Sequence, residues 1–185
     1  MRKIPSLFCR NYEGDRQVRD EVVPGSEWVS VGEGKATRKF DGTPCMVRDG
    51  KLYRRYDVKK GCIAPPGFEA CQAPDEVTGH QPGWIPVGDG PDSVWFREAF
   101  DGQTDGTYEL CGPKVNGNPE RFPVHVLVRH GALVVDNCPR DFAGIRAFLA
   151  KTPIEGIVWH HPDGRMVKIK RRDFGLPWPI PTVNG

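Results

Sequence analysis

Lys39 stands two residues ahead of Asp41 and Gly42 in the stretch KFDG, and it opens a set of reactive groups spread along the chain. Carboxylates follow at Glu109 in TYELCG and Glu155 in IEGIVW, and an alternating lysine pair, Lys168 and Lys170, closes MVKIK. Side chains alternate across a strand, so residues 168 and 170 point to one face and two ammonium groups share one side of a sheet. This set suits reaction at phosphorus. A lysine attacks phosphorus only when neutral, and neighbouring cations disfavour its charged form, so Lys168, Lys170 and a bound metal can lower the pKa of Lys39. The same cations hold phosphate oxygens where negative charge spreads during transfer. Asp41, Glu109 and Glu155 offer hard oxygen atoms to magnesium, which keeps several of its waters and is held through them.

The segments that must position these groups read mostly as strands. EWVSVGE (27–33) reads as one strand, and CMVRDGKLYRRYDV as a hairpin whose Asp49-Gly50 turn suits type I′ geometry, so Lys39 lies just ahead of a hairpin. From Gly61 to about Pro91, glycine and proline are dense enough to predict a long irregular insert, about 61–93, with short strands at most. SVWFREAF reads as a short helix capped by Asp92 or Ser93. TYELCG and FPVHVLVRHG read as strands. DFAGIRAFLAKT places Phe142, Ile145, Phe148 and Leu149 on one helical face behind an N-cap at Asp141. EGIVWHHPDGRMVKIK reads as a second hairpin turning at Pro162 to Gly164. Strands joined by hairpins rather than crossover helices predict an α+β fold of largely antiparallel sheets with few helices.

The 185 residues suffice for one ordinary domain with a substantial core, spanning 1–185. No apolar run reaches membrane-spanning length and the N-terminal stretch lacks a signal-type apolar centre, so a soluble, cytoplasmic protein without a membrane partner is expected. Net charge is +2, which excludes a polycation. Two basic clusters, Lys51, Arg54, Arg55, Lys59 and Lys60, then Lys168, Lys170, Arg171 and Arg172, read as solvated faces or phosphate contacts. Arg171 and Arg172 read as solubilising residues or loose phosphate contacts, neither of them catalytic. The six cysteines are scattered without a CxxC pair, which reads as reduced, buried thiols rather than a zinc site at Cys62, Cys71 and His80. The tryptophans at 84, 95, 159 and 178 read as core or loop anchors, and His160 and His161 as surface residues near a turn.

Taken in order, KFDG, YELCG, EGIV and KIK resemble motifs I, III, IV and V of the covalent nucleotidyltransferases, and LYRRYD resembles motif Ia. That superfamily contains ATP-dependent DNA and RNA ligases and mRNA-capping guanylyltransferases. The wider phrases ATRKFDGTPCMV, RRYDVKKG, PDEVTGHQPGWIPV and FGLPWPIP are similar to the small 5′-to-3′ RNA ligases related to the vertebrate enzyme, over about Gly34 to Pro181.

The resemblance implies a nucleotidyltransferase domain of the ATP-grasp-like ligase adenylation type and a ligase joining 5′-phosphate and 3′-hydroxyl RNA ends, with RNA repair as its role. By it, Lys39 attacks the α-phosphate of ATP to give lysyl-AMP, Asp41 holds metal-bound water, and Glu109 and Glu155 orient the ribose or the hydrated Mg²⁺ or Mn²⁺. Lys168 and Lys170 act on the α-phosphate, and Arg54 or Arg55 contacts ribose and phosphate. Thr37, Asp41, Gly42, Arg54, Arg55, Glu109 and Phe122 form the expected ATP-binding set, with Phe122 and the strand VHVLV as candidates for stacking on adenine. AMP then passes to a 5′-phosphate end as AppRNA, and a 3′-hydroxyl attacks to release it. Where DNA ligases carry an arginine after the motif I glycine, this chain has Thr43, Pro44 and Cys45. No OB domain is expected after KIK, which favours the RNA branch. The alternatives are a DNA ligase or capping-type guanylyltransferase core, or a non-catalytic RNA-binding module.

Overall fold

Asp49 and Gly50 both adopt left-handed backbone, with φ of 52° and 67°, as a type I′ turn requires at its two central positions. They join the first predicted hairpin with Arg48 opposite Lys51. The computed structural model describes residues 2–181; the ends of the expected 1–185 span lie outside them. In chain order its strands are β1 (Phe8–Arg10), β2 (Val18–Val22), β3 (Lys35–Lys39), β4 (Thr43–Arg48), β5 (Lys51–Val58), β6 (Glu69–Ala70), β7 (Gln81–Pro86), β8 (Gly106–Cys111), β9 (Val126–Arg129), β10 (Gly156–His160) and β11 (Met166–Lys170). The helices are α1 (Val94–Ala99) and α2 (Phe142–Lys151). All strand ladders are antiparallel, so the mostly antiparallel α+β expectation holds.

Contacts divide the chain into two compact units, one built mainly from Asp41–His130 and the other from Ile4–Phe40 with the segment from Gly131 onward. In the first, six strands run in the order β6-β7-β5-β4-β8-β9. Cys45, Val47, Leu52, Tyr108 and Leu110 line one face of this sheet and form a core with Phe96 and Ala99 of α1. Alternation explains the set, because each of these strand residues is two positions, or one cross-strand pair, from the next.

In the second unit, β11-β10-β3 form a three-stranded sheet, and β1 pairs with β2. Ile157, Trp159, Val167 and Ile169 lie on one face and pack with Ile145 and Leu149 of α2. Asp141 caps that helix by accepting the Gly144 N–H at 2.8 Å, and its apolar spacing at residues 142, 145, 148 and 149 is that of a buried stripe, as predicted. Both sheet edges are covered. Leu7 donates to the Lys168 carbonyl at 2.8 Å on one side, and Arg38 to the Leu133 carbonyl at 2.8 Å on the other.

Several local readings are corrected. Residues 27–33 form consecutive turns rather than a strand, because adjacent Trp28 and Val29 are both buried while Val31 is exposed, a pattern that period two cannot satisfy. The insert holds a full six-residue strand, β7, paired along its length with β5; its two prolines do not prevent this because only alternate residues bond to a given neighbour. The strand expected across FPVHVLVRHG shortens to Val126–Arg129. Ser93 holds the N-cap position of α1 but makes no side-chain cap bond. Only Cys45 and Cys111 of the six thiols are buried. Trp84, Trp159 and Trp178 are buried, and Trp95 stacks on His125.

Arg171 is not a solubilising residue. It is 4 % exposed, and its guanidinium donates to the carbonyls of Leu149, Thr152 (3.0 Å) and Pro177 (2.9 Å). Helix ends leave carbonyls without partners, and here an arginine from the segment after β11 supplies them. Arg172 likewise donates to the Trp178 carbonyl. Arg171→Met is expected to cost roughly 2–4 kcal/mol in urea unfolding, since it strips buried acceptors of charged donors; a loss below about 1 kcal/mol would mean that water reaches these carbonyls. Among the described residues no helix is long and apolar enough to cross a membrane.

Candidate active site

Strand β10 is the centre of the lysine face. Its Gly156 lies opposite Lys39 of β3 on one side and Lys170 of β11 on the other. Val158 lies between Thr37 and Lys168 in the same way. Cross-strand partners share a face, so Lys39, Thr37, Lys168, Lys170 and His160 project together, opposite the apolar face that packs on α2. Strands about 4.8 Å apart put Lys39 and Lys170 about 10 Å apart at their Cα atoms, and Gly156 between them is buried, with the Ile169 carbonyl oxygen where a Cβ would lie. Two ammonium groups on one sheet face can pair with an anion.

Lys39 is anchored within this unit. Its Nζ donates to Glu155 Oε2 at 2.5 Å and to the Phe40 carbonyl at 3.1 Å. Glu155 is 8 % exposed, so the pair is largely withdrawn from water. Burial pushes the Lys168 ammonium down from 10.5 to about 8, with Lys39 and then Lys170 adding to the effect and Glu155 and Asp173 opposing it. The crowding of cations expected from the sequence is therefore present, and it acts on Lys168. Lys170 is set from behind: Asp173 accepts its backbone N–H at 2.8 Å and is ion-paired to Arg10.

Thr37 is fully buried, donating to the Val158 carbonyl at 3.2 Å and accepting from His160 Nε2 at 3.0 Å. His160 is thus part of the lysine face rather than a surface residue beside a turn. His161 is also largely covered, between Glu33 at 2.8 Å and Asp163 at 2.8 Å.

The other predicted residues belong to the first unit, where the Asp41–Gly42 turn and Glu109 form one network. The Gly42 N–H donates to Glu109 Oε1 at 3.1 Å, and His130 Nε2 meets Glu109 Oε2 at 2.8 Å. A charge on this half-buried strand is tolerated because both oxygens are bonded. Gly42 is obligatory here, since a Cβ would lie 2.1 Å from the Leu110 carbonyl oxygen. Asp41 receives the Asn116 amide on Oδ1 at 3.0 Å and gives its N–H to Glu120 at 2.9 Å.

Register separates the two arginines that the sequence leaves open. Glu109 lies opposite Pro44, Met46 opposite Tyr53, and Arg55 opposite Trp84, so alternation puts Arg55 on the Glu109 face. Arg54 lies opposite Cys45 on the core face and pairs with Asp92 ahead of α1. Arg55 stacks its guanidinium 5.2 Å from the Trp84 ring. Phe122 is half-buried in the loop between β8 and β9, its backbone tied to the Asn118 side chain at 3.0 Å in both directions.

Sequence reasoning missed His130, Asn116, Glu120 and His160. The Asn-Gly-Asn run at 116–118 is a visible turn signal, with φ of 49°, 75° and 55°, but nothing local indicates that the turn serves a motif 75 residues earlier. Among the described residues no three His, Cys, Asp or Glu side chains converge to hold a metal alone. Carboxylates such as those of Asp41, Glu109 and Glu155 still fit magnesium, which takes one or two carboxylates and fills its other positions with water and phosphate.

A family model described as RNA ligase 1 matches residues 99–184. RNA ligase 1 of Danio rerio is 35 % identical, with the match covering 87 % of this chain and 73 % of the relative. The RNA ligase 1 proteins of Mus musculus and Rattus norvegicus are 32 % and 31 % identical, each over 98 % of this chain and 83 % of their own length. Similarity of that extent means that the chain belongs to the RNA ligase 1 family.

Proposed function

We propose that this protein is an ATP-dependent RNA ligase that seals 5′-phosphate and 3′-hydroxyl ends through a lysyl-AMP and then an AppRNA intermediate, on a nucleotidyltransferase fold. The observation that carries this reading is the row Lys39–Gly156–Lys170 with Lys168 beside it, three cations on one sheet face. Lys39 Nζ, once neutral, forms a P–N bond to the α-phosphate of ATP while the bond to pyrophosphate breaks. Lys168 and Lys170 neutralise the charge that spreads over the phosphate oxygens in that step, which is the main protein contribution to phosphoryl chemistry. Thr37, supported by His160, lines the same face for the nucleoside.

In the motif roles, Arg55 is favoured over Arg54 for ribose and phosphate, because it shares the Glu109 face while Arg54 is held by Asp92. Asp41, Glu109 and Glu155 would hold magnesium or manganese, which supplies charge neutralisation for the phosphates. Phe122 remains the candidate for the adenine ring.

The test is incubation with α-labelled ATP and magnesium followed by denaturing electrophoresis, after any bound AMP has been stripped with pyrophosphate. Label is expected on the wild type and absent from Lys39→Ala, and the labelled protein should then join 5′-phosphate RNA in preference to DNA. Absence of label with both ATP and GTP would sink the enzyme reading in favour of an RNA-binding module, and efficient DNA sealing would reassign the substrate.

A further inference from the structure

The loop between β8 and β9 does more than connect them. Val115 plugs it into the core of the first unit, and it enters left-handed backbone at Asn116, Gly117, Asn118 and Arg121. His125 pins its far end. The ring stacks on Trp95 with centroids 4.8 Å apart, Nδ1 donates to Glu98 at 2.8 Å, and Nε2 accepts the Lys114 N–H at 3.3 Å. Gly112 passes close beneath, where a Cβ would fall 2.5 Å from the His125 ring.

This fixed shape delivers two side chains to the Asp41–Gly42 turn. Asn116 Nδ2 donates one hydrogen to Asp41 Oδ1 at 3.0 Å and the other to the Gly42 carbonyl at 2.9 Å. Glu120 Oε1 accepts the Asp41 N–H at 2.9 Å. Together with the Gly42 N–H to Glu109, these bonds engage both N–H groups of the turn and the Gly42 carbonyl. An exposed asparagine that commits both amide hydrogens inward is not serving solubility, because water would satisfy them at no entropic cost.

We propose that Asn116 and Glu120 are positioning residues, which hold the Asp41 carboxylate and the Gly42 amide in a single arrangement against Glu109. Neither touches the reacting atoms; each acts through Asp41. This inference rests on the ligase reading of Asp41 and Glu109.

Glu120 separates positioning from charge. Glu120→Gln keeps an acceptor oxygen for the Asp41 N–H, whereas Glu120→Leu removes it. Lysyl-AMP formation is expected to fall about tenfold or more in Glu120→Leu and in Asn116→Leu, and to stay within about twofold of wild type in Glu120→Gln. Half-saturating magnesium should rise in the two leucine variants. A second readout needs no activity: amide exchange at Asp41 should quicken about tenfold in Glu120→Leu and not in Glu120→Gln. If Glu120→Gln loses as much rate as Glu120→Leu, the carboxylate charge acts directly and the positioning role is wrong. Unchanged exchange in Glu120→Leu would overturn it equally. A wild type that takes no label defeats the ligase reading, while the exchange comparison still decides whether these bonds fix the turn.

Discussion

Lys168→Met should make the folded protein more stable while it abolishes most lysyl-AMP formation. Lys168 is a partly buried cation beside two others, and its folded pKa of about 8 lies well below 10.5. Below pH 8 the ammonium is charged in both folded and unfolded chains, so the fold carries the whole cost, on the order of 3 kcal/mol from the shift. Between about 8 and 10.5 the unfolded chain binds the proton and the folded chain does not, so wild-type stability rises with pH through that window. Methionine keeps the aliphatic length and removes the charge. Urea unfolding at pH 7 should therefore favour Lys168→Met by about 1–3 kcal/mol, and the gap should close as pH rises towards 10.5. Adenylylation should drop by about two to three orders of magnitude, as for other donors aimed at developing charge. A variant less stable than wild type at pH 7 would show that Glu155 and Asp173 outweigh burial, and an active one would remove Lys168 from the phosphate seat.

Gly156→Ala should produce a large structural effect from a single methyl group. The added Cβ would lie 2.2 Å from the Ile169 carbonyl oxygen and 2.9 Å from the Lys170 Cα. Both are backbone atoms, so no side-chain rotation relieves the overlap, and β11 must separate from β10 or the sheet must shear. A loss of about 3 kcal/mol or more is expected in equilibrium unfolding. Because Lys39 and Lys170 flank this glycine, any folded remainder should also adenylylate poorly. A stable and active Gly156→Ala protein would mean that the row Lys39–Gly156–Lys170 tolerates widening.

The opposite signs of these two effects follow from what each residue does. Lys168 is present at a cost in stability, as expected for a group whose charge is needed at a site. Gly156 is present because only a hydrogen fits.

How much of this was legible beforehand depends on the distance over which each feature is decided. Period-two spacing alone put Lys168 and Lys170 on one face, Asp49-Gly50 alone specified its hairpin, and Asp141 with the stripe from Phe142 to Leu149 specified α2. Turn chemistry, capping and alternation act within a few residues, so they survive in the sequence. The same local rules misread residues 27–33, where adjacent buried apolar residues belong to turns, and undervalued β7, whose prolines looked disqualifying until its neighbours were known.

What only the tertiary structure decided is register and partnership. Opposing Gly156 to both Lys39 and Lys170 requires β10 to lie between strands far apart in sequence, and the Lys39–Glu155 pair spans 116 residues. A one-residue slip would have exchanged Arg54 for Arg55 and turned the lysines into the core. The service of Asn116 and Glu120 to Asp41, and of His130 to Glu109, likewise arises from chain segments that meet only in the folded state. The sequence by itself determined which groups could do phosphoryl chemistry and which faces they share within a strand; the fold decided which stand together, because hydrogen-bonded register between distant strands is a property of the packed sheet and not of any one segment.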